Sequence, residues 1–400
     1  MKEIKNVLIV TREYKSSHTP KVGGTGTFYK NLCTELVKRG ISVHVFLISK
    51  YAFDVEEDGV KIHSIKDIFK ANSLLELLRS FTGKLKILEQ IHFKLYLSEK
   101  KNISDQINTW ITKNKLQFDI AETHDFDGLA LSIPKEIPYV IRCHGSWSVL
   151  EKYFGYKKVH KGRIFCEKAA FKSSENIITI SRYNEKINKN LFGIKNPKLI
   201  YNGIDETFYK PVENAEIIPK SVFFLGNVSF EKGAETLINS FVRLKKDHPE
   251  ASLHFIGKPN HYPVYINENI PDAEIRNSVH FYGNKSGKEI VQLISKAEVV
   301  CFPSKGENFS LSLLEVMAMQ KPVVCSAIDS FKEIIEEPVN GLIAEEGNFY
   351  KKISLIFEDD ELRNKISVNA RKLIESKFGI DMMVDETISY YTEIIEKYEL

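Results

Sequence analysis

The sequence predicts an α/β protein of two doubly wound, parallel-sheet domains facing a cleft. Short apolar runs alternate with helix-patterned stretches along most of the chain, the βαβ rhythm of a parallel sheet. That rhythm stops and restarts around residues 204–220, so it is used twice. The length, 400 residues, is more than one core usually supports. The expected division is an N-terminal Rossmann-like domain over residues 1–203 and a second over 204–379, with ligands bound beyond the carboxyl ends of the strands.

The elements justify this in order. "NVLIV" is the first strand, and a long loop follows it. "TFYKNLCTELVKRG" reads as a helix ended by Gly40, and "ISVHVFLIS" as the next strand. "PYVIRCH" and "NIITIS" continue the sheet. The second round has "SVFFLGN", the helix "AETLINSFVRLKKDHP" and "ASLHFIG", then "VHFYG", "AEVVCFPS" and "KPVVCSA". Residues 66–118 break the rhythm. Leu74, Leu77, Leu78, Phe81, Leu85 and Leu88 recur there at helical spacing, with eight Lys/Arg against four Asp/Glu from Lys66 to Lys101. A helix packed on the first domain is favoured, and an interfacial helix touching a membrane or lipid-linked acceptor is the alternative.

Composition is globular, 43% hydrophobic and 27% charged. Net charge is +3, but residues 1–203 hold 34 Lys/Arg against 21 Asp/Glu, while residues 204–400 hold 22 against 32. A basic first half suits an anionic partner, a phosphate group or an acidic membrane surface, and suits a solvated basic face equally. The apolar run Val7–Val10 is too short for a signal peptide core or a membrane span. Cys33, Cys143, Cys166, Cys301 and Cys325 show no metal-ligand spacing, so a cytoplasmic protein with reduced thiols is expected.

The chemistry concentrates in "PSKGENFSLSLLEVMAM" (303–319), where Glu307 and Glu315 bracket Phe309, Ser310 and Leu311. Glu315 sits in an apolar run, where a carboxylate is costly without a polar partner. "KGEN" reads as a turn and "LSLLEVMAM" as the start of a helix, whose free amides favour phosphate. Together the two acids can grip hydroxyl-bearing groups on either side of a diphosphate.

The E-x7-E spacing resembles the retaining GT-B glycosyltransferases of the large GT4-type group. "GNVSFEKG" (226–233), "KLIYNGIDETFYKP", "ENIITISRYNEK", "FDIAETHDFDGLAL", "YVIRCHGS" and "KVGGTGTFYKNLCTELVKRG" are similar to that family's motifs, in the family's order. The resemblance implies a nucleotide-sugar donor, UDP- or GDP-linked, and a hexose-type sugar moved to a glycan or lipid-linked acceptor in bacterial surface polysaccharide synthesis. It implies that Glu307 contacts sugar hydroxyls, that Glu315 holds the ribose, and that the Phe309, Ser310 and Leu311 amides meet sugar and phosphates. Lys232 would neutralise the departing diphosphate, Gly23 and Gly24 would let the first loop approach it, and His124 would face sugar and acceptor. The C-terminal helix, about 380–400, would cross back onto the first domain.

Two positions depart from the family. Asn227 stands where arginine is usual, and Asn308 and Ser310 alter the loop that faces the sugar. Arg142, Arg182 or a basic residue of the first loop is a candidate to replace the missing charge. No metal is required if Lys232 and the helix amides suffice, and "DFD" (125–127) reads as a cap or turn. Nucleic acid is not an expected partner; peripheral contact with the inner face of an anionic membrane is. Taken singly, Lys232 also reads as a helix-start lysine, Gly23 and Gly24 as an ordinary loop, and His124 and His144 as hydrogen-bonded strand ends. A dehydrogenase is excluded by "GGTGTF", because Tyr29 takes the third glycine's place a dozen residues past the strand. Two same-fold alternatives stay open: an epimerase, phosphorylase or synthase, and a catalytically silent sugar-nucleotide-binding subunit.

Overall fold

The computed structural model describes residues 3–20, 22–67, 69, 72–156 and 160–398. Residues 68, 70 and 71 of the helical stretch, Lys21 of the first loop and residues 399–400 of the C-terminal helix therefore lie outside the described residues. The chain divides into two compact units, Met1–Tyr201 with Met383–Leu400, and Asn202–Met382.

The first unit's strands are β1 (Asn6–Thr11), β2 (Ser42–Ser49), β3 (Asp54–Glu57), β4 (Val60–Lys66), β5 (Ile120–His124), β6 (Tyr139–Cys143), β7 (Ile177–Thr179) and β8 (Lys198–Leu199). Among the described residues they form a sheet in the order β3-β4-β2-β1-β5-β6-β7-β8, parallel except for the β3–β4 hairpin. Helices cover both faces of such a sheet, so its central strands are apolar on both sides. Val7, Leu8, Ile9 and Val10 are fully buried accordingly. Helix α1 (Gly24–Lys38) follows the long loop after β1 and buries Phe28, Leu32 and Leu36. The hairpin of β3 and β4 is unforeseen in the sequence reading: β3 alternates exposed and half-buried residues and carries three acids, so it lacks an apolar run.

Helices α2 (Ser73–Lys84) and α3 (Glu89–Asn114) occupy the interrupting stretch. Helix α2 does pack on the first unit, as favoured, but not through its apolar stripe. Leu74, Leu77, Leu78, Phe81 and Leu85 are exposed, and it is the opposite face of α2 that anchors the helix. Arg79 pairs with Glu99 of α3 and lies 4.1 Å and 4.2 Å from the Phe69 and Tyr96 rings, while Thr82 meets His92 at 3.1 Å. Guanidinium pairing and stacking, inaccessible to a hydrophobicity pattern, set which face points inward.

The second unit has β9 (Ser221–Leu225), β10 (Ser252–Ile256), β11 (Val279–Phe281), β12 (Val299–Phe302), β13 (Val323–Ser326) and β14 (Leu342–Ala344). These run parallel in the order β11-β10-β9-β12-β13-β14. Helix α4 (Ala234–Asp247) follows β9 and α5 (Leu311–Ala318) follows β12. β9 and β12 are neighbours, so the loops leaving their carboxyl ends meet.

The last helix, α6 (Ile380–Tyr398), returns to the first unit. There Arg142 and Glu122, both wholly buried, form a two-pronged pair at 2.8 and 3.0 Å. Thr387 and Tyr391 of α6 complete it, at 3.0 Å to Arg142 and 2.7 Å to Glu122. A buried ion pair needs such added hydrogen bonds to offset its desolvation.

Candidate active site

The loops after β9 and β12 are laced together in the second unit. Gly233 has φ +74°, and a Cβ there would lie 1.9 Å from the Pro303 carbonyl oxygen, so only glycine allows the approach. Gly257 does the same at the end of β10, where a Cβ would come within 1.8 Å of the Gly226 oxygen. The Lys305 amide donates to the Glu231 carbonyl at 2.9 Å, closing the join. This contact carries Lys232 onto the loop of Glu307, and the two side chains form an ion pair. Glu307 also accepts from the Ser304 hydroxyl at 3.0 Å. The Glu307 side chain is 13% exposed and that of Lys232 38%, so the pair is open to solvent on the lysine side.

Three residues beyond Glu307, Ser310 caps α5, its hydroxyl accepting the Leu313 amide at 3.3 Å. The remaining first-turn amides, Leu311 among them, point along the axis without helix acceptors, as helix geometry dictates. Phe309 is buried edge-on against Phe378 with ring centres 5.7 Å apart, and Asn308 is half-buried beside it in the chain. Glu315 is half-buried on α5. Its polar partner is Tyr209, whose hydroxyl is held strongly protonated by burial and then by the Glu315 charge and hydrogen bond. Arg371 holds this partnership in place, donating to the carbonyls of Glu206 and Tyr209 at 2.9 Å each and of Ala318 at 2.7 Å. Asn227 is exposed and accepts from the Asn260 side chain at 3.1 Å.

In the first unit, His124 ends β5 and is 3% exposed. Its Nδ1 lies 3.2 Å from the Phe126 amide and its Nε2 3.4 Å from that of Arg12. Burial lowers its pKa to about 4, with Arg12 and Lys100 pushing the same way against Asp127. The ring is therefore neutral at physiological pH. Gly23 precedes α1, and its amide donates to Glu13 at 3.2 Å, while Gly24 begins the helix with open space around it. Neither glycine has positive φ, so neither is needed for strain; a Cβ on Gly23 would lie 3.0 Å from a Glu13 carboxylate oxygen. Arg142 is consumed by Glu122, which removes it as a replacement for the charge absent at Asn227.

The "DFD" carboxylates act inside the first unit. Asp125 accepts the His144 and Gly145 amides at 3.0 and 3.1 Å. Asp127 pairs with Arg12 at 2.7 Å and accepts from the Trp147 indole at 2.8 Å. Among the described residues no group of three or more His, Cys, Asp or Glu is gathered to hold a metal ion. Sequence reasoning missed Tyr209 and Ser304. Tyr209 directly follows the Phe208 of the linker motif and Ser304 closes "CFPS", but only the fold shows what their hydroxyls meet.

The second unit thus holds a lysine beside a carboxylate, a capped helix start three residues on, and a second carboxylate further along that helix. These groups can neutralise an anion and accept hydrogen bonds from hydroxyls on either side of it. Comparison with known proteins agrees with this chemistry. Residues 205–373 match the family Glycosyl transferases group 1, and residues 22–208 match Glycosyltransferase Family 4. An uncharacterized glycosyltransferase of Methanocaldococcus jannaschii is 25% identical, over 95% of this chain and 97% of its own length. The capsular polysaccharide biosynthesis glycosyltransferase CapM of Staphylococcus aureus is 24% identical, over 62% of this chain and 67% of its own. Among solved structures, HepE of Anabaena in complex with UDP and glucose has a TM-score of 0.71 at 17% identity, covering 98% of this chain and all (100%) of that one.

Proposed function

The chain belongs to the GT4-type glycosyltransferases of the GT-B fold, and from that premise we propose that it is a retaining hexosyltransferase. Its donor is a UDP- or GDP-linked sugar, and its acceptor a glycan or lipid-linked saccharide of a bacterial surface polysaccharide, met at the inner face of the membrane. Likeness to a capsular polysaccharide enzyme supports the pathway, and the UDP and glucose bound to a protein of the same fold support the donor class. Among the described residues no helix is long and apolar enough to cross a membrane.

The Lys232–Glu307 pair, three residues ahead of the capped start of α5, carries the reading. An arriving donor replaces that pair with two better-matched contacts. The diphosphate takes the Lys232 ammonium and the α5 amides, and sugar hydroxyls take Glu307. Glu315 receives the ribose hydroxyls. As the bond to the anomeric carbon breaks, negative charge grows on the phosphate oxygens, where Lys232 and the amides already stand. The acceptor hydroxyl attacks from the face the diphosphate leaves, which retains configuration. His124 and the Gly23 and Gly24 amides are assigned to the first unit's share of the work. His124 serves as a neutral hydrogen-bonding ring, since a pKa of about 4 leaves it no proton to give at neutral pH. These groups supply the positive charge without a divalent metal, so transfer should persist in excess chelator.

Thermal shift against a panel of UDP-, GDP- and ADP-sugars tests the donor. A ligand at a hundred times its Kd adds about 2.7 kcal/mol of stability. NMR of the product anomer tests retention. A chain that none of the sugar nucleotides stabilises, or an inverted product, refutes the proposal.

A further inference from the structure

Helix α2 wears its apolar face outward. Leu74, Leu77 and Phe81, one stripe at helical spacing, are 70%, 67% and 56% exposed. The stripe continues through Leu85 and the turn Lys86–Leu88, where Ile87 is 90% exposed, to Ile91 at the start of α3. Contiguous apolar surface of this kind is rare on a soluble face without a partner. The polar side of α2 is already committed to Glu99, Phe69, Tyr96 and His92, so the helix cannot roll inward without breaking those contacts.

Charge says what covers it. Lys84 and Lys86 are exposed within the ridge, and Lys161 stands beside them with a 70% exposed side chain. These three line a recess of about 100 Å³ with Thr82, His92 and Glu89, the acid pairing with Lys161 at 3.6 Å. Apolar side chains that project, flanked by ammonium groups, match the boundary between acyl chains and anionic headgroups.

We propose that α2, the turn Lys86–Leu88 and the first turn of α3 form a docking surface for an anionic phospholipid bilayer. Leu77, Phe81 and Ile87 enter the interfacial layer, and Lys84, Lys86 and Lys161 take lipid phosphates. The inference rests on the membrane-side acceptor reading for its purpose, and adds the surface and the lipid charge. Protein on such a surface meets a lipid-linked acceptor by diffusion in two dimensions.

The test is co-sedimentation of the full chain, without sugar nucleotide, with phosphatidylcholine vesicles containing or lacking phosphatidylglycerol. Binding is expected only to the anionic vesicles and should weaken as salt is raised. L77S/F81S, both at exposed positions, should lower binding about tenfold or more. Each of K84Q and K86Q should lower it about fivefold. Melting temperatures and sugar-nucleotide affinity should stay unchanged in all of them. Absence of binding, equal binding to both vesicles, or variants that bind as the native chain overturn the proposal. So does concentration-dependent dimerisation lost in L77S/F81S without vesicle binding, which would assign the ridge to a second copy. A chain that binds vesicles but transfers no sugar leaves this inference standing and removes only the enzymatic one.

Discussion

Lys232→Ala separates a lysine that helps the fold from one that serves the reaction. The ammonium pairs with Glu307, but its side chain is 38% exposed, and pairs that open to water contribute about 1 kcal/mol at most. Glu307 is not stranded by the change, because the Ser304 hydroxyl still reaches it at 3.0 Å. Melting should therefore fall by no more than about 2–4 °C, the shift about 1 kcal/mol produces in a domain of this size. Turnover should suffer far more. Loss of one preorganised donor at a developing oxyanion costs about 2.7–4 kcal/mol, or about 10²–10³ in kcat. Initial rates at saturating donor, beside calorimetric melting of the same samples, supply both numbers, and Lys232→Arg should recover part of the rate. A variant that turns over like the native chain would refute the role. So would one that loses activity only because it unfolds.

Other expectations are as direct. Glu315→Ala should weaken UDP or GDP binding by about 1.5–3 kcal/mol, the worth of hydrogen bonds to a charged group, with kcat little changed; calorimetric titration that finds equal affinity contradicts the ribose role. Arg142→Met should cost about 3–5 kcal/mol in urea unfolding, since it leaves Glu122 buried and unpaired, yet preserve nucleotide affinity. If affinity drops while stability holds, Arg142 does reach the donor. Burial raises the Asp125 carboxyl to about 8 and the Glu167 carboxyl to about 7. The folded chain thus keeps protons that the unfolded chain releases near its ordinary pKa of about 4, and stability falls as pH rises towards 8. His124, lowered to about 4, acts oppositely, losing stability only as pH falls below about 6.5. Between about 6.5 and 8 the carboxyls lead, opposed only near the top of the window by Lys321, which burial lowers to about 8, and Asp125→Asn should flatten the decline in Tm across that window. An equally steep decline in the variant excludes Asp125 as its source.

The central parallel strands were legible because burial on both faces leaves them as apolar runs: Val7–Val10, Val222–Leu225 and Val299–Phe302 each stand out from their surroundings. β3 and β4 were not, being an edge hairpin of alternating exposure that carries charge. Amphipathicity correctly marked α2 as a helix, but period alone does not say which face turns inward. The same limit governs the candidate site. The spacing of Glu307 and Glu315 singled out α5, yet the lysine that pairs with Glu307 and the tyrosine behind Glu315 come from segments far away in sequence. Arg142 shows the converse. It reads as a spare cation beside His144, and only the fold reveals that Glu122 of the neighbouring strand and Thr387 of α6 have already taken it.

That return of α6 makes Asn202–Met382 an insertion in a body whose two ends are Met1–Tyr201 and Met383–Leu400. On the ribosome the body begun before Asn202–Met382 is finished only after it: its buried arginine and glutamate wait for Thr387 and Tyr391, which follow the second body. A fragment stopped at Tyr201 would be an incomplete body. The second body could be looped out instead by splicing Tyr201 to Met383.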